Sequence, residues 1–288
     1  MSISKIVFKK IFLGIFLGIT VFVWYGVLAE ERNGLLTIAF LDVGQGDAIF
    51  IESPSGKQIL LDGGPNGKVL RELSQLMPFY DRTINILIAS HPDADHIGGF
   101  PEVFKNYEIG EYFNSGVLCD TALCEVLDEN IRDEEIEKKI LTRGQVIDLG
   151  DGAYLEILFP DRDATNFETN LASLVIKLVY GKNSFLLMGD SPKSIEDYLS
   201  RLDGNPPAGG LDVDVLKLGH HGSKTSSGEY FLGLTSPELA IISVGADNRY
   251  GHPSQEVLDS LNNLEIKTLR TDEQGTLIIQ SDGKNLIY

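Results

Sequence analysis

The chain has 288 residues, 43% of them hydrophobic, and its 42 acidic against 24 basic side chains give a formal net charge of −18. That apolar share supports a sizeable core in one large domain. The acidity excludes tight non-specific binding to nucleic acid, because like charge repels the phosphate backbone unless it is reversed locally.

The first element is apolar. Lys5, Lys9 and Lys10 precede an uncharged run over residues 11–29, which then meets Glu30, Glu31 and Arg32. The run is just long enough to span a bilayer, and lysines on its near side stay cytoplasmic, so the chain beyond Glu30 is exported. It either remains as an anchor on the outer face of the cytoplasmic membrane or is removed after Val27-Leu28-Ala29, as in a signal peptide, leaving a secreted protein. Residues 1–32 are therefore set apart from a domain at 35–288.

Within that domain, strands are predicted at residues 36–43, 48–52, 58–61, 84–89, 154–159, 173–180, 185–188, 213–218 and 239–244. Helices are predicted near 100–107, 192–202 and 254–261, so the alternation suits an α/β domain built as a four-layer αββα sandwich. An acidic stretch from Glu125 to Glu137 reads as the solvated face of a helix, and residues 204–210, rich in glycine and proline, read as a surface loop. Cys119 and Cys124 are the only cysteines. In an exported chain they are expected to form a disulfide; the alternatives are two free thiols or half of a metal site, for which no second cysteine pair exists.

Chemistry concentrates where apolar strands end. Ile84 to Ala89 runs out into Ser90-His91-Pro92-Asp93-Ala94-Asp95-His96, and Pro92 and Gly98-Gly99 let the chain turn back on itself. Imidazole nitrogens and carboxylate oxygens are ligands for zinc, manganese or iron, and no cysteine stands nearby to soften the site. The bland alternative is a solvated polar turn with a capping aspartate. It leaves two histidines and two carboxylates in one short loop unexplained. Ser184 to Met188 leads to Gly189-Asp190, and Val213 to Leu218 leads to Gly219-His220-His221-Gly222. Four of the five histidines lie in these loops.

These segments resemble the metallo-β-lactamase superfamily, whose loop reads His-x-His-x-Asp-His; here it is His91-x-Asp93-x-Asp95-His96. With Asp42-Val43-Gly44-Gln45-Gly46-Asp47, Leu61-Asp62-Gly63-Gly64, Asn170-Leu171-Ala172-Ser173-Leu174, His220-His221-Gly222-Ser223-Lys224-Thr225-Ser226 and Gly251-His252-Pro253-Ser254, the chain is similar to the hydrolase domain of ComEC-type competence proteins. The long multi-helix channel region of full ComEC proteins is not expected, which points to a stand-alone hydrolase. The resemblance implies two divalent metal ions, one served by His91, Asp93 and Asp190, the other by Asp95, His96, His220 and the shared Asp190, with Asp62 behind them. Many superfamily members have a histidine where this chain has Asn170. An oxygen-rich site favours manganese, with zinc or magnesium as alternatives.

Two such ions hold a hydroxide between them, which makes hydrolysis the natural reaction. The expected substrate is a phosphodiester, most specifically extracellular DNA, cleaved near a DNA-uptake channel. Lys224, Ser223, Ser226, Arg249 and His252 are expected to line the substrate side, and Lys217 to draw phosphate inward. His221 and His252 are candidates for the general acid, because imidazole titrates near neutrality. Two other readings stand beside this one: a hydrolase of a small ester or lactam, which suits the acidic surface, and a catalytically weak binding module of a DNA-uptake complex.

Overall fold

A computed structural model describes residues 2–29, 34–202 and 210–288. The polar flank at 30–32 and all but the last residue of the expected 204–210 loop lie outside the described residues. The chain divides into two units, Met1–Asn33 and Gly34–Tyr288. The first carries one helix, α1 (Ser2–Ala29), and its 19-residue stretch Val7–Tyr25 is long and apolar enough to cross a bilayer by length and composition. At 1.5 Å per residue such a stretch covers about 28 Å, close to the roughly 30 Å hydrocarbon core.

The second unit holds two sheets. Strands β1 (Leu36–Phe40), β2 (Ile49–Glu52), β3 (Gln58–Leu61), β4 (Thr83–Ala89), β5 (Glu108–Asn114) and β6 (Lys138–Ile140) build most of the first. Strands β7 (Val146–Gly150), β8 (Ala153–Phe159), β9 (Val175–Tyr180), β10 (Asn183–Leu187), β11 (Val215–Lys217), β12 (Leu239–Ile242) and β13 (Lys267–Arg270) build the second. Strands β14 (Leu277–Ser281) and β15 (Leu286–Ile287) return to the first sheet, where β14 pairs antiparallel with β1, Ile38 opposite Ile279. The helices of this unit are α2 (Lys68–Leu76), α3 (Ala94–Ile97), α4 (Phe100–Asn106), α5 (Ala122–Asp133), α6 (Lys193–Leu202), α7 (Glu229–Thr235), α8 (Gln255–Asn263) and α9 (Thr271–Gln274).

Period-two alternation sorts the side chains into three apolar layers. Ile59 and Leu61 of β3, Ile86 and Ile88 of β4, and Phe185 and Leu187 of β10 meet between the sheets. Their strand neighbours point outward: Leu60 and Leu87 against Val69, Leu73, Phe100 and Val103 of α2 and α4, and Leu186 against Ile195 and Leu199 of α6. Strands covered on both faces need apolar residues at every position, which explains the unbroken runs in the sequence. Each fully buried Ile, Leu or Phe contributes about 1.5–3 kcal/mol, and the result is the expected αββα sandwich.

Several elements escaped the sequence reading. Strand β5 carries Glu108, Gly110 and Glu111 and pairs parallel with β4, a long-range pairing that favours strand over the local polar pattern. The acidic stretch is helical as α5, but it ends at Asp133, with Cys124, Leu127 and Ile131 as its buried stripe. Cys119 and Cys124 are joined in a disulfide. It ties the strand-to-helix connection to the first turn of α5, where Thr121 Oγ1 accepts from the Cys124 N–H at 3.3 Å. A loop this short removes little chain entropy, so replacing both cysteines by serine is expected to lower the unfolding free energy by about 2 kcal/mol in a denaturant titration under oxidising conditions.

Candidate metal centre

The strands that end at the site are parallel within each sheet: β3 beside β4 in one, and β10, β11 and β12 in the other. Their carboxyl ends share one edge of the sandwich. Asp62 follows β3, the His91–His96 loop follows β4, Asp190 follows β10, the paired histidines follow β11, and Ser243 follows β12. The loop after β1 brings Asp47. Gly46 makes that approach possible: with φ +125°, a Cβ there would lie 2.0 Å from the Asp95 carbonyl oxygen.

Each of three buried imidazoles has its Nδ1 held from behind. His96 Nδ1 lies 2.8 Å from Asp62 Oδ2, and Asp62 also accepts from the Ser90 N–H at 2.8 Å and the Ser90 hydroxyl at 2.6 Å. His221 Nδ1 donates to the Ser243 carbonyl at 2.9 Å. His91 Nδ1 faces Ser90 Oγ at 3.0 Å and Ser173 Oγ at 3.1 Å, and Ser173 Oγ in turn accepts from the Asp190 N–H at 2.9 Å. A carbonyl or carboxylate behind Nδ1 takes its proton, so Nε2 keeps a lone pair.

The Nε2 atoms converge on carboxylates. His96 Nε2 is 3.2 Å from Asp190 Oδ1, His221 Nε2 is 3.4 Å from Asp95 Oδ2 and 3.6 Å from Asp190 Oδ2, and His91 Nε2 is 3.7 Å from Asp93 Oδ2 and 4.0 Å from Asp190 Oδ2. The Nε2 atoms of His91, His96 and His221 and Asp190 Oδ1 are buried with no hydrogen-bond partner. Buried polar groups are rarely left so. Ligand atoms of His91, His96 and Asp190, and of Asp95, His96 and His221, each fall within 4.8 Å of one another. Orphaned imidazole and carboxylate atoms in two such groups fit divalent metal ions.

The electrostatics agree. Burial pushes His96 and His221 toward the neutral form, yet Asp190 outweighs it, with help from Asp62 for His96 and Asp47 for His221; both stand above the ordinary imidazole value, His221 at about 9. Burial likewise opposes charge on Asp190, but His221 and His96 hold it well below the usual carboxylate range. The carboxylates demand positive charge, and metal binding would displace the protons that otherwise supply it.

The two adjacent histidines, expected as a metal ligand (His220) and a general-acid candidate (His221), differ in burial. Both have left-handed backbones, φ 49° at His220 and 53° at His221, and this turn buries His221 among the carboxylates. His220 sits at the rim, its side chain 28% exposed, Nε2 3.8 Å from Asp190 Oδ2 and Nδ1 3.2 Å from Thr225 Oγ1. His252 lies beyond it, its ring 5.7 Å from the His220 ring. Burial and the neighbouring imidazoles push His252 below its usual value. Lys224 and Arg249 are exposed, while Ser226 turns inward and donates to the Gly219 carbonyl at 2.6 Å, which removes it from the substrate side. Ser223 Oγ is 2.9 Å from Thr225 Oγ1.

Lys217 does not face substrate either. It is fully buried and paired with Asp47, whose Oδ1 is 3.3 Å from His221 Nδ1. A lysine interrupting the apolar Val215-Leu216 strand was the available signal for this pair; its partner, 170 residues away, was not legible. Glu196 of α6 clamps the far end of the histidine loop by accepting from the N–H groups of Ser227 and, at 2.8 Å, Gly228. Burial raises its pKa to about 7 despite those donors.

Lys217→Met strands the Asp47 charge and is expected to destabilise the fold by about 3–5 kcal/mol in chemical denaturation, with Asp47→Leu in the same chain recovering most of the loss. For Glu196, a folded pKa raised from 4.5 to about 7 means that the folded state binds more protons across that window. Its contribution to stability is present below 4.5 and lost as pH rises to about 7. The stability of wild type relative to Glu196→Gln should therefore fall between about pH 5 and about pH 8, read from denaturation midpoints.

Residues 41–246 match the Metallo-beta-lactamase superfamily. The chain is 32% identical over 274 residues to ComE operon protein 3 of Bacillus subtilis, covering 88% of this chain and 33% of that protein. It is 36% identical over 227 residues to Recombination protein 2 of Haemophilus influenzae, covering 77% of this chain and 26% of that one. Competence protein ComA of Neisseria gonorrhoeae is 31% identical over 252 residues, with 86% and 32% covered. The chain thus spans a third or less of the length of these curated relatives. Among solved structures, the metallo-beta-lactamase fold protein YhfI of Bacillus subtilis superposes with a TM-score of 0.57 at 10% identity, covering 85% of this chain and 99% of that one. Igni18, a metallo hydrolase of Ignicoccus hospitalis, does so at 0.52 and 13% identity, covering 85% and 98%. These two likenesses concern the fold alone; the match across most of the second unit means that the chain belongs to the metallo-β-lactamase superfamily.

Proposed function

We propose that the chain is a metal-dependent phosphodiesterase that cleaves DNA strands outside the cytoplasmic membrane. The observation that carries this reading is the convergence of three buried, unpartnered Nε2 atoms on Asp190. His91, Asp93 and Asp190 would hold one divalent ion; Asp95, His96, His221 and Asp190 would hold the other. When bound, the ions supply Lewis-acid charge for phosphoryl oxygens and lower the pKa of water. Manganese is favoured over zinc or magnesium because the first group has one imidazole against two carboxylates. Asn170, next to Thr169, whose side chain bonds Asp93, adds a buried carbonyl oxygen that lacks a hydrogen-bond partner.

The remaining residues position and donate. Asp62, Ser90, Ser173 and the Ser243 carbonyl keep the histidine tautomers that leave Nε2 free. Asp95, on the side of the cluster that faces solvent, orients the attacking water. With His221 committed at both nitrogens, His252 and His220 would carry a proton at the leaving oxygen, and the exposed Lys224 and Arg249 would meet phosphate. Export is supported by the lysines before the apolar helix, and by the disulfide, which belongs to an oxidising compartment. The likeness to a competence protein supports a role in DNA uptake. The net charge of −18 favours one alternative, hydrolysis of a small ester or lactam.

The full chain in detergent, incubated with labelled single- and double-stranded DNA and manganese, should cleave; chelator should abolish cleavage, and His91→Ala or Asp190→Ala should lower the rate by about 100-fold or more. Two bound metals with hydrolysis of small esters and no DNA cleavage would establish the alternative. Absence of bound metal would leave a binding module.

A further inference from the structure

Beside the cluster lies a groove of about 390 Å³ whose lining includes Gln45, Asn66, Lys68, Asp95, Arg249 and Tyr250. Asp95 faces His221 on its other side, so groove and cluster share a wall. Tyr250 is 57% exposed. Its ring lies nearly parallel to that of His252, 15° apart at 5.9 Å, and His252 is 5.7 Å from His220, whose Nε2 is 3.8 Å from Asp190. A row of rings thus runs from the rim of the groove to the cluster. The loop beneath it is pinned: Asn248 Nδ2 donates to the carbonyls of Gly245 at 2.8 Å and His252 at 2.7 Å, and its Oδ1 accepts the His252 N–H at 3.0 Å.

We infer that this groove is a subsite for an unpaired nucleobase, with Tyr250 as the stacking face and Arg249 and Lys68 as contacts for the adjoining phosphates. The inference rests on the phosphodiesterase reading and names what selects its substrate. An exposed, fixed tyrosine ring offers a π-face to any base that is free of its own stack, whereas a duplex keeps its bases stacked and offers none. The Arg249 guanidinium, 5.5 Å from the Tyr250 ring centroid, extends the platform. Asp247 also lines the groove, and the chain carries a net charge of −18, so long-range attraction is weak. Stacking supplies affinity that salt does not screen.

The test is steady-state cleavage by the manganese-loaded full chain of a single-stranded oligonucleotide, the same strand bearing abasic sites, and the duplex. Tyr250→Ala is expected to raise KM for the intact single strand about tenfold with a smaller change in kcat, and Tyr250→Phe to restore it. Wild type acting on the abasic strand should show the raised KM of Tyr250→Ala on the intact strand. Equal KM for wild type and Tyr250→Ala, or for intact and abasic strands, in an enzyme that does cleave DNA would overturn the subsite alone. No DNA cleavage by wild type overturns both readings.

Discussion

Asp190 is 3% exposed, and imidazole nitrogens of four histidines stand between 3.2 and 4.0 Å from its oxygens. A carboxylate so deeply buried is tolerable only beside compensating positive charge. That requirement sets the arrangement of everything near it. Asp190 follows β10 in one sheet, His91 and His96 follow β4 in the other, and His221 follows β11, so the shared carboxylate also joins the two halves of the sandwich at one edge.

The layers behind this edge have a complementary task. Three apolar layers hold the strands rigidly, and the strand ends then release polar side chains into a common space. The hydrogen bonds behind the imidazoles come from both sheets: Asp62 and Ser90 from one, Ser173 and Ser243 from the other. Of these, the Ser173–His91 contact crosses from one sheet to the other, so a small shift between the sheets would loosen it and change the aim of His91 Nε2. The buried Asp47–Lys217 pair adds a second cross-sheet tie directly behind His221.

On the phosphodiesterase reading proposed above, an acidic protein would have to recognise its polyanionic substrate by something other than net charge. The bound ions would neutralise the carboxylates at the cluster, and the ring series from Tyr250 to His220 gives the approach an aromatic, weakly charged character. Recognition of that kind would be local and short-ranged, in keeping with a net charge that repels nucleic acid at distance.

Much of this was legible in the sequence. Unbroken apolar runs announced strands covered on both faces, and the αββα layering followed from their alternation with helices. His91, Asp93, Asp95, His96 and Asp190 stood out because each follows such a run, and the structure brings them together. Strand β5 and the β14–β15 return were hidden because their partners are distant in sequence. The choice between His220 and His221 was equally out of reach: adjacent residues of identical chemistry are told apart only by backbone angles near φ +50° that turn one ring inward. Lys217 read as a phosphate contact until its pairing with Asp47 was visible. The sequence by itself determined which residues had ligand chemistry and that they stood at strand ends, because covalent order and side-chain periodicity are local properties. Which nitrogen faces inward, which carboxylate is shared and which cation is buried were decided only by the tertiary structure, because those depend on two sheets packing in one register.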